Sequence, residues 1–238
     1  RDYLVGNTLG NSELFKLGAD GNPEPMYNTD WLKEATQSKL SQNHQLSFTN
    51  GTEKGSYGVF LGYRDDNGLL LNSYLKRYSA RFTFDTELKD WISVGGNLSY
   101  NNQKENLVDI GTGGLNSVRM ITEGLPILPV KYTSGKYAGT YAGNWQYKGM
   151  EGGENPVNIM NNRFYELYTQ TLLGNVYVNL HLAPGLELRS VLGADVVTRQ
   201  RNEYSGRNLN QISQNQKGRA VLDDNRETFY SSETYLTY

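Results

Sequence analysis

Residues 76–100, KRYSARFTFDTELKDWISVGGNLSY, alternate apolar and polar positions with a period of two. Tyr78, Ala80, Phe82 and Phe84 fall on one side, and Ser79, Arg81, Thr83 and Asp85 on the other. After a short break, Ile92, Val94, Gly96, Leu98 and Tyr100 oppose Ser93, Gly95, Asn97 and Ser99. Side chains of a strand point alternately to two faces, so this predicts a hairpin of two half-buried strands. The same signal predicts seven strands, over about 43–50, 55–64, 77–88, 91–101, 166–182, 186–200 and 227–238. Two short helices are also predicted: one in TDWLKEATQSKL, capped by Thr29 or Asp30, and one in LNSVRMITEGLP (115–126), ending before Pro126.

One pattern serves two architectures. In a soluble sandwich the apolar face lines a core; in a membrane barrel it meets lipid while the polar face lines a lumen. The connections discriminate better than the strands. GTEK, LKD and APG (183–185) are short, and between them lie DDNGLLLNSYLK, the segment 102–165 and residues 201–226. Strict short–long alternation is the rule for an up-and-down outer-membrane barrel, with short periplasmic turns and long external loops. Charges avoid the apolar register: Arg81, Asp85, Glu87, Glu187, Arg189 and Asp195 all take the other face. A charge facing lipid at mid-depth would cost roughly 2–4 kcal/mol, although a soluble core would exclude it too. Tyr57 and Trp91 fall at one end of the apolar register, and Tyr63, Tyr78, Tyr100 and Tyr168 at the other, as two interfacial girdles would.

Composition narrows the classes. A formal charge of -2 on 238 residues gives no electrostatic footprint for nucleic acid. With 26 Gly, 18 Tyr and 6 Pro, the chain suits a turn-rich β protein rather than a disordered one. There is no cysteine, which removes disulfides, thiolate metal sites and a cysteine nucleophile. No apolar run reaches the ~20 residues of a membrane helix, and a barrel would not need one. The chain opens at Arg1 without a leader and stops in mid-alternation at ETYLTY, so it is expected to be a piece of a longer protein.

Thr29-Asp30-Trp31, Ser41-Gln42-Asn43-His44, Tyr57, Leu61-Gly62-Tyr63, Gly68, Lys76-Arg77-Tyr78-Ser79 and the strand Trp91–Tyr100 keep one order and spacing over some seventy residues. This stretch resembles the opening part of the barrel in SusC/RagA-type TonB-dependent outer-membrane transporters. MITEGLPILPVKYTSGKYAGTY and GENPV (Gly153 to Val157) are similar to the long external loop of that family. The resemblance implies an all-β fold: an antiparallel, up-and-down transmembrane segment of about seven strands, belonging to a plugged barrel of about 22. It divides the chain into an external lead-in (1–42), four strands (43–101), a long external loop (102–165) and three strands (166–238), with the plug domain and TonB box absent. It implies import of oligosaccharides or peptides across the outer membrane of a Gram-negative bacterium, outer-membrane lipid around the wall, a SusD-like surface lipoprotein as lid, and TonB–ExbB–ExbD acting through the missing plug. No enzymatic activity, cofactor or metal is implied. A soluble carbohydrate-binding β-sandwich and a passive porin are the alternatives.

His44 and His181 have no partner at metal-ligand spacing and read as lumen or rim residues. GTGG (111–114) neither follows a strand nor opens a helix as a nucleotide loop must, and DDNG (65–68) reads as a turn rather than a calcium loop. No two carboxylates are placed in a shared cleft, so glycosidase chemistry has no support. The candidate ligand-binding residues are Tyr137, Tyr141, Trp145 and Tyr147, on a loop long enough to be functional. Their faces suit sugar rings or apolar peptide side chains; the alternative is that they pack the loop against its neighbours or against the lid.

Overall fold

The computed structural model describes residues 14–108, 116–138, 154–207, 209, 213 and 215–238. A small hairpin of β1 (Phe15–Leu17) and β2 (Pro23–Pro25) leads into helix α1 (Trp31–Ala35). Then come β3 (Gln42–Thr52), β4 (Gly55–Asn67), β5 (Tyr74–Lys89) and β6 (Ile92–Asn106). Helices α2 (Ser117–Glu123) and α3 (Pro156–Asn162) interrupt the next connection, before β7 (Arg163–Ala183), β8 (Leu186–Ser205) and β9 (Arg219–Thr237). Strands β3 to β9 form one antiparallel sheet in sequence order, each paired with its chain neighbours, which is the up-and-down barrel topology.

Each strand outruns the alternation that predicts it. β9 begins at Arg219 and β6 continues to Asn106, into text such as RAVLDDNRET that lacks a hydrophobic period. The ladder of backbone hydrogen bonds continues where both faces are polar, so periodicity marks only the stretch with one apolar face. Links between β3 and β4, β5 and β6, and β7 and β8 are two-residue turns at one end of the sheet. All the longer connections, and the lead-in, gather at the other end.

The register sorts the two faces. One row across the sheet reads Phe48, Val59, Phe82, Leu98, Gly174, Ala194 and Tyr230; the next reads Leu46, Leu61, Ala80, Tyr100, Leu172, Val196 and Thr228. On β6 this face carries no charge from Ile92 to Asn102, about 34 Å along the strand. At the usual tilt of about 40° that projects to about 25 Å, the height of an outer-membrane apolar band. On β4 to β7 the first charges beyond it, toward the long connections, are neutralised in pairs. Lys76 lies 3.8 Å from Asp65, and Lys104 lies 2.9 Å from Glu166, which also accepts hydrogen bonds from Tyr74 (2.8 Å) and Tyr168 (3.0 Å). Tyr63 and Tyr78 stand side by side at this border, ring centroids 5.1 Å apart; Tyr100 sits one row inward of them and Tyr168 one row outward.

The burial pattern is inverted relative to a soluble sheet. Phe48, Leu61, Phe82, Leu98, Val176 and Leu192 stay exposed, while every buried apolar side chain among the described residues lies outside the seven-stranded sheet. Leu14, Trp31, Ala35, Leu128, Tyr132, Ala138, Val157 and Met160 form one core, and Met120, Ile159 and Leu209 a second. The protein's core is thus in its connections, at the end with the long ones. No described helix is long and apolar enough to cross a membrane, which says nothing of strands.

Candidate functional site

Two features can meet a ligand or partner: the cap built by the long connections, and the polar face of the sheet. The cap is assembled from irregular chain, whose carbonyls have no ladder to satisfy them. Side-chain amides and hydroxyls take over. Asp30 accepts a hydrogen bond from the Lys33 amide at 3.1 Å and so caps α1. On either side of it, Thr29 donates from Oγ1 to the Leu128 carbonyl (2.6 Å), and the buried Trp31 donates from Nε1 to the Leu125 carbonyl (3.0 Å). The TDW stretch is therefore the bolt that fixes the lead-in to the long connection. A Cβ on Gly124 would lie 2.7 Å from Trp31 Nε1, so only glycine lets the two segments approach this closely.

Asparagines do the same elsewhere. The buried Asn155 accepts from the Asn158 amide (3.0 Å), capping α3 with Pro156 in its first turn, and donates to the carbonyls of Val130 (2.9 Å) and Ala138 (2.8 Å). Asn158 donates to the Leu209 carbonyl at 3.1 Å, joining the last connection to the cap. Asn72, with φ of 62°, donates to the Met160 carbonyl (2.9 Å) and accepts on its own carbonyl from Asn106 Nδ2 (2.7 Å). On α2 the Arg119 guanidinium is pushed above its ordinary value by its hydrogen bond to Glu123, 2.8 Å away, and stays charged.

The two helices read from the sequence are present, trimmed to their capped turns: Asp30 rather than Thr29 caps α1, and Asn116 caps α2. Helix α3 escapes that reading, although Asn-Pro before an apolar pair is a helix-start signal that could have found it. Of the candidate ligand residues, Tyr137 is half-buried against the cap core, with Lys131 Nζ 4.5 Å from its ring centroid and Asn161 Nδ2 donating to its Oη at 3.4 Å. Tyr141, Trp145 and Tyr147 lie outside the described residues, as does GTGG. His44 stacks on Tyr63 at 6.3 Å, and its Nε2 donates to Gln42 Oε1 at 3.2 Å. Among the described residues no three His, Asp or Glu side chains come together.

The polar face divides by charge. On β7 to β9 three of its cations are compensated: Arg163 with Glu203 (3.2 Å), Arg199 with Glu227 (2.9 Å) and Arg201 with Asp223 (3.0 Å). Toward the short turns, Tyr177 reaches across Gly95 to donate to Asp85, and Arg189 Cζ lies 4.1 Å from the Tyr177 ring centroid. At the centre Asn97 Nδ2 donates to Asn175 Oδ1 at 3.0 Å. On β4 and β5, Arg64 is held by Asp66 (2.6 Å), whereas Arg77 and Arg81 make no ion pair among the described residues.

No protein-family model matches the chain. It is similar to the TonB-dependent receptor SusC of Bacteroides thetaiotaomicron, 25% identical over 182 residues that cover 71% of this chain and 18% of that protein. It is also similar to the TonB-dependent receptor P3 of Formosa agariphila, 24% identical over 216 residues, covering 89% of this chain and 21% of that one. Among solved structures, the RagAB peptide transporter matches with a TM-score of 0.63 at 19% identity, over 87% of this chain and 23% of that chain. The RagAB importer in its closed-closed state matches equally, at 0.63 and 19%, over 88% and 24%. The resemblance read from the sequence is borne out, and with it the all-β, up-and-down membrane-barrel fold. The chain spans about a fifth of the length of these relatives.

Proposed function

We propose that this chain forms part of the barrel wall and outer cap of a SusC/RagA-type TonB-dependent transporter, importing peptides or oligosaccharides across a Gram-negative outer membrane. The observation that carries this reading is the uncharged, exposed apolar band on one face of the sheet, with the buried core displaced into the connections. Exposed to water, each such side chain would forfeit about 1.5–3 kcal/mol of burial; against lipid it forfeits nothing. The unpaired edges of β3 and β9 fit the same picture, because lipid tolerates only a closed sheet and further strands would pair with them. In this reading a SusD-like lipoprotein sits over the cap, TonB–ExbB–ExbD act through a plug elsewhere in the protein, and the chain does no chemistry of its own.

Orientation is tested by insertion. Gly135 lies in an exposed turn of the cap with φ of 80°, and Gly185 in a two-residue turn at the opposite end. A protease site inserted at Gly135 of the full-length protein is expected to be cut on intact cells; one at Gly185 is expected to be cut only after the outer membrane is permeabilised. The reverse result would place the cap in the periplasm.

Tyr137, Tyr141, Trp145 and Tyr147 are the proposed aromatic platform for cargo. Since Tyr137 also packs the cap, Trp145 is the cleaner probe. Trp145→Ala is expected to weaken cargo binding about tenfold, the loss of about 1.4 kcal/mol, without lowering the amount of folded barrel. Calorimetry on the full-length transporter, with and without its lid protein, reads this. Unchanged cargo affinity together with loss of the lid on co-purification would assign these rings to the partner interface.

A further inference from the structure

We propose that a hollow on the polar face of β3 to β6 binds a carboxylate-bearing part of the cargo. This rests on the importer reading and deepens it by naming the cargo's charge. The hollow has a volume of about 570 Å³. Its floor is low because Gly62, Ser79 and Ser99 stand where the neighbouring rows carry long side chains. A Cβ on Gly62 would run into Ser79 Oγ, so the floor has no room for anything larger at that position. Asn101 and Gln45 flank it with amide groups able to donate.

Three guanidinium groups surround this floor. Arg64 and Arg77 are directly opposite each other in the β4–β5 register, an arrangement of like charges that opposes strand pairing. Arg64 is relieved by Asp66, but Arg77 is not, and Arg81 is the next cation down the same face of β5, beyond Ser79. The other carboxylates of this face do not serve them. Asp85 is engaged by Tyr177, and Glu105 lies on β6 a row beyond Arg77 and one strand away. Across the sheet, on β7 to β9, Arg163, Arg199 and Arg201 of the same face are paired and Arg189 lies over the Tyr177 ring. Arg77 and Arg81 thus put two guanidinium groups with no ion pair among the described residues on one face of β5, and an arginine fork prefers a planar anion such as carboxylate.

Phe60 specifies the rest of the ligand. It breaks the alternation by standing exposed on the polar face, with Arg81 Cζ 5.9 Å from its ring centroid. A ring or alkyl group beside the carboxylate would cover Phe60 while the anion meets Arg77 and Arg81. Acidic peptides and uronic-acid oligosaccharides both have this chemistry. The hollow lies in the half of the wall nearer the cap, where incoming cargo meets the barrel first.

The test uses the full-length transporter with four probes: tetraglutamate and tri-galacturonate, with tetraalanine and galactotriose as uncharged controls. At low salt the native protein is expected to bind at least one acidic probe more tightly than its control, and which one identifies the source of the carboxylate. The double variant Arg77→Gln, Arg81→Gln is expected to lose at least tenfold in affinity for that probe and nothing for the control. Heat-modifiable migration on gels confirms that the variant barrel is folded; if it is not, the single variants are read in its place, and Arg81→Lys should retain part of the affinity. The proposal is overturned by an unchanged acidic affinity in the variant, by an equal loss for the control, or by no acidic preference in the native protein. It is equally overturned if the variant changes only the protease sensitivity of the plug, since the arginines would then hold that domain. Uptake of uncharged oligomers without acidic preference would leave the importer reading standing while this proposal falls. Failure to bind or take up any oligomer would end both.

Discussion

Leu98→Arg in the full-length protein is expected to remove most of the folded barrel from the outer membrane, whereas Asn97→Arg, one residue away, leaves most of it in place. Leu98 lies in the middle of the uncharged band, between Phe82 on β5 and Gly174 on β7, and half of its surface is exposed. An arginine at that depth costs about 2–4 kcal/mol. The leucine also fills the notch above Gly174, whose added Cβ would come within 2.9 Å of Leu98 Cδ1. Asn97 faces the other way, and its replacement loses one exposed amide bond to Asn175, about 1 kcal/mol. Outer-membrane fractionation with heat-modifiable migration reads the difference. A soluble protein would accept arginine at the exposed Leu98 with little penalty, so normal folding and yield of Leu98→Arg would sink the membrane assignment.

The second large effect belongs to the cap. Asn155→Ala removes one helix cap, leaves the Ala138 carbonyl without its Asn155 donor in a buried setting, and leaves the Val130 carbonyl with the Ala138 amide at 3.3 Å. Together these losses amount to about 2–5 kcal/mol, enough to loosen residues 116–138 and 154–162 while the sheet, to whose strands Asn155 makes no hydrogen bond, still assembles. Limited proteolysis on intact cells should then cut within residues 116–138 in the variant and spare them in the native protein, with equal amounts of barrel in both. Asn155→Asp separates the two roles: it keeps the capping oxygen and loses the two donated bonds. Native-like resistance in the Asp variant would show that capping alone matters, and loss of barrel in the Ala variant would show that the cap is not a separate unit.

Legibility followed the range of the interactions. The β3–β9 meander was readable because alternation is a property of neighbouring residues, and two-residue turns announce where one strand hands over to the next. Helix α1 was readable through its capping aspartate, a contact of three residues' reach. The cap was not. Thr29 bonds a carbonyl 99 residues away and Asn72 one 88 residues away, and nothing local distinguishes these side chains from ordinary loop residues. The motif residues quoted for the family resemblance were read as marks of kinship; in the structure several of them are fasteners. Tyr137 illustrates the same limit, since an aromatic in a glycine-rich loop looks available until its packing against the cap core is seen.

By itself, then, the sequence determined a seven-stranded antiparallel meander with one face free of charge through the middle of its strands, because the period of two and the placement of charge are written residue by residue. It left open which surroundings the apolar face meets, because a protein core and a bilayer exclude charge alike. The tertiary structure decided that: among the described residues no second layer covers the band, and the buried core sits in the connections at one end. It also decided the register that sets Arg64 opposite Arg77 around a glycine- and serine-floored hollow, since neighbours across strands are fixed by pairing and cannot be counted along the chain.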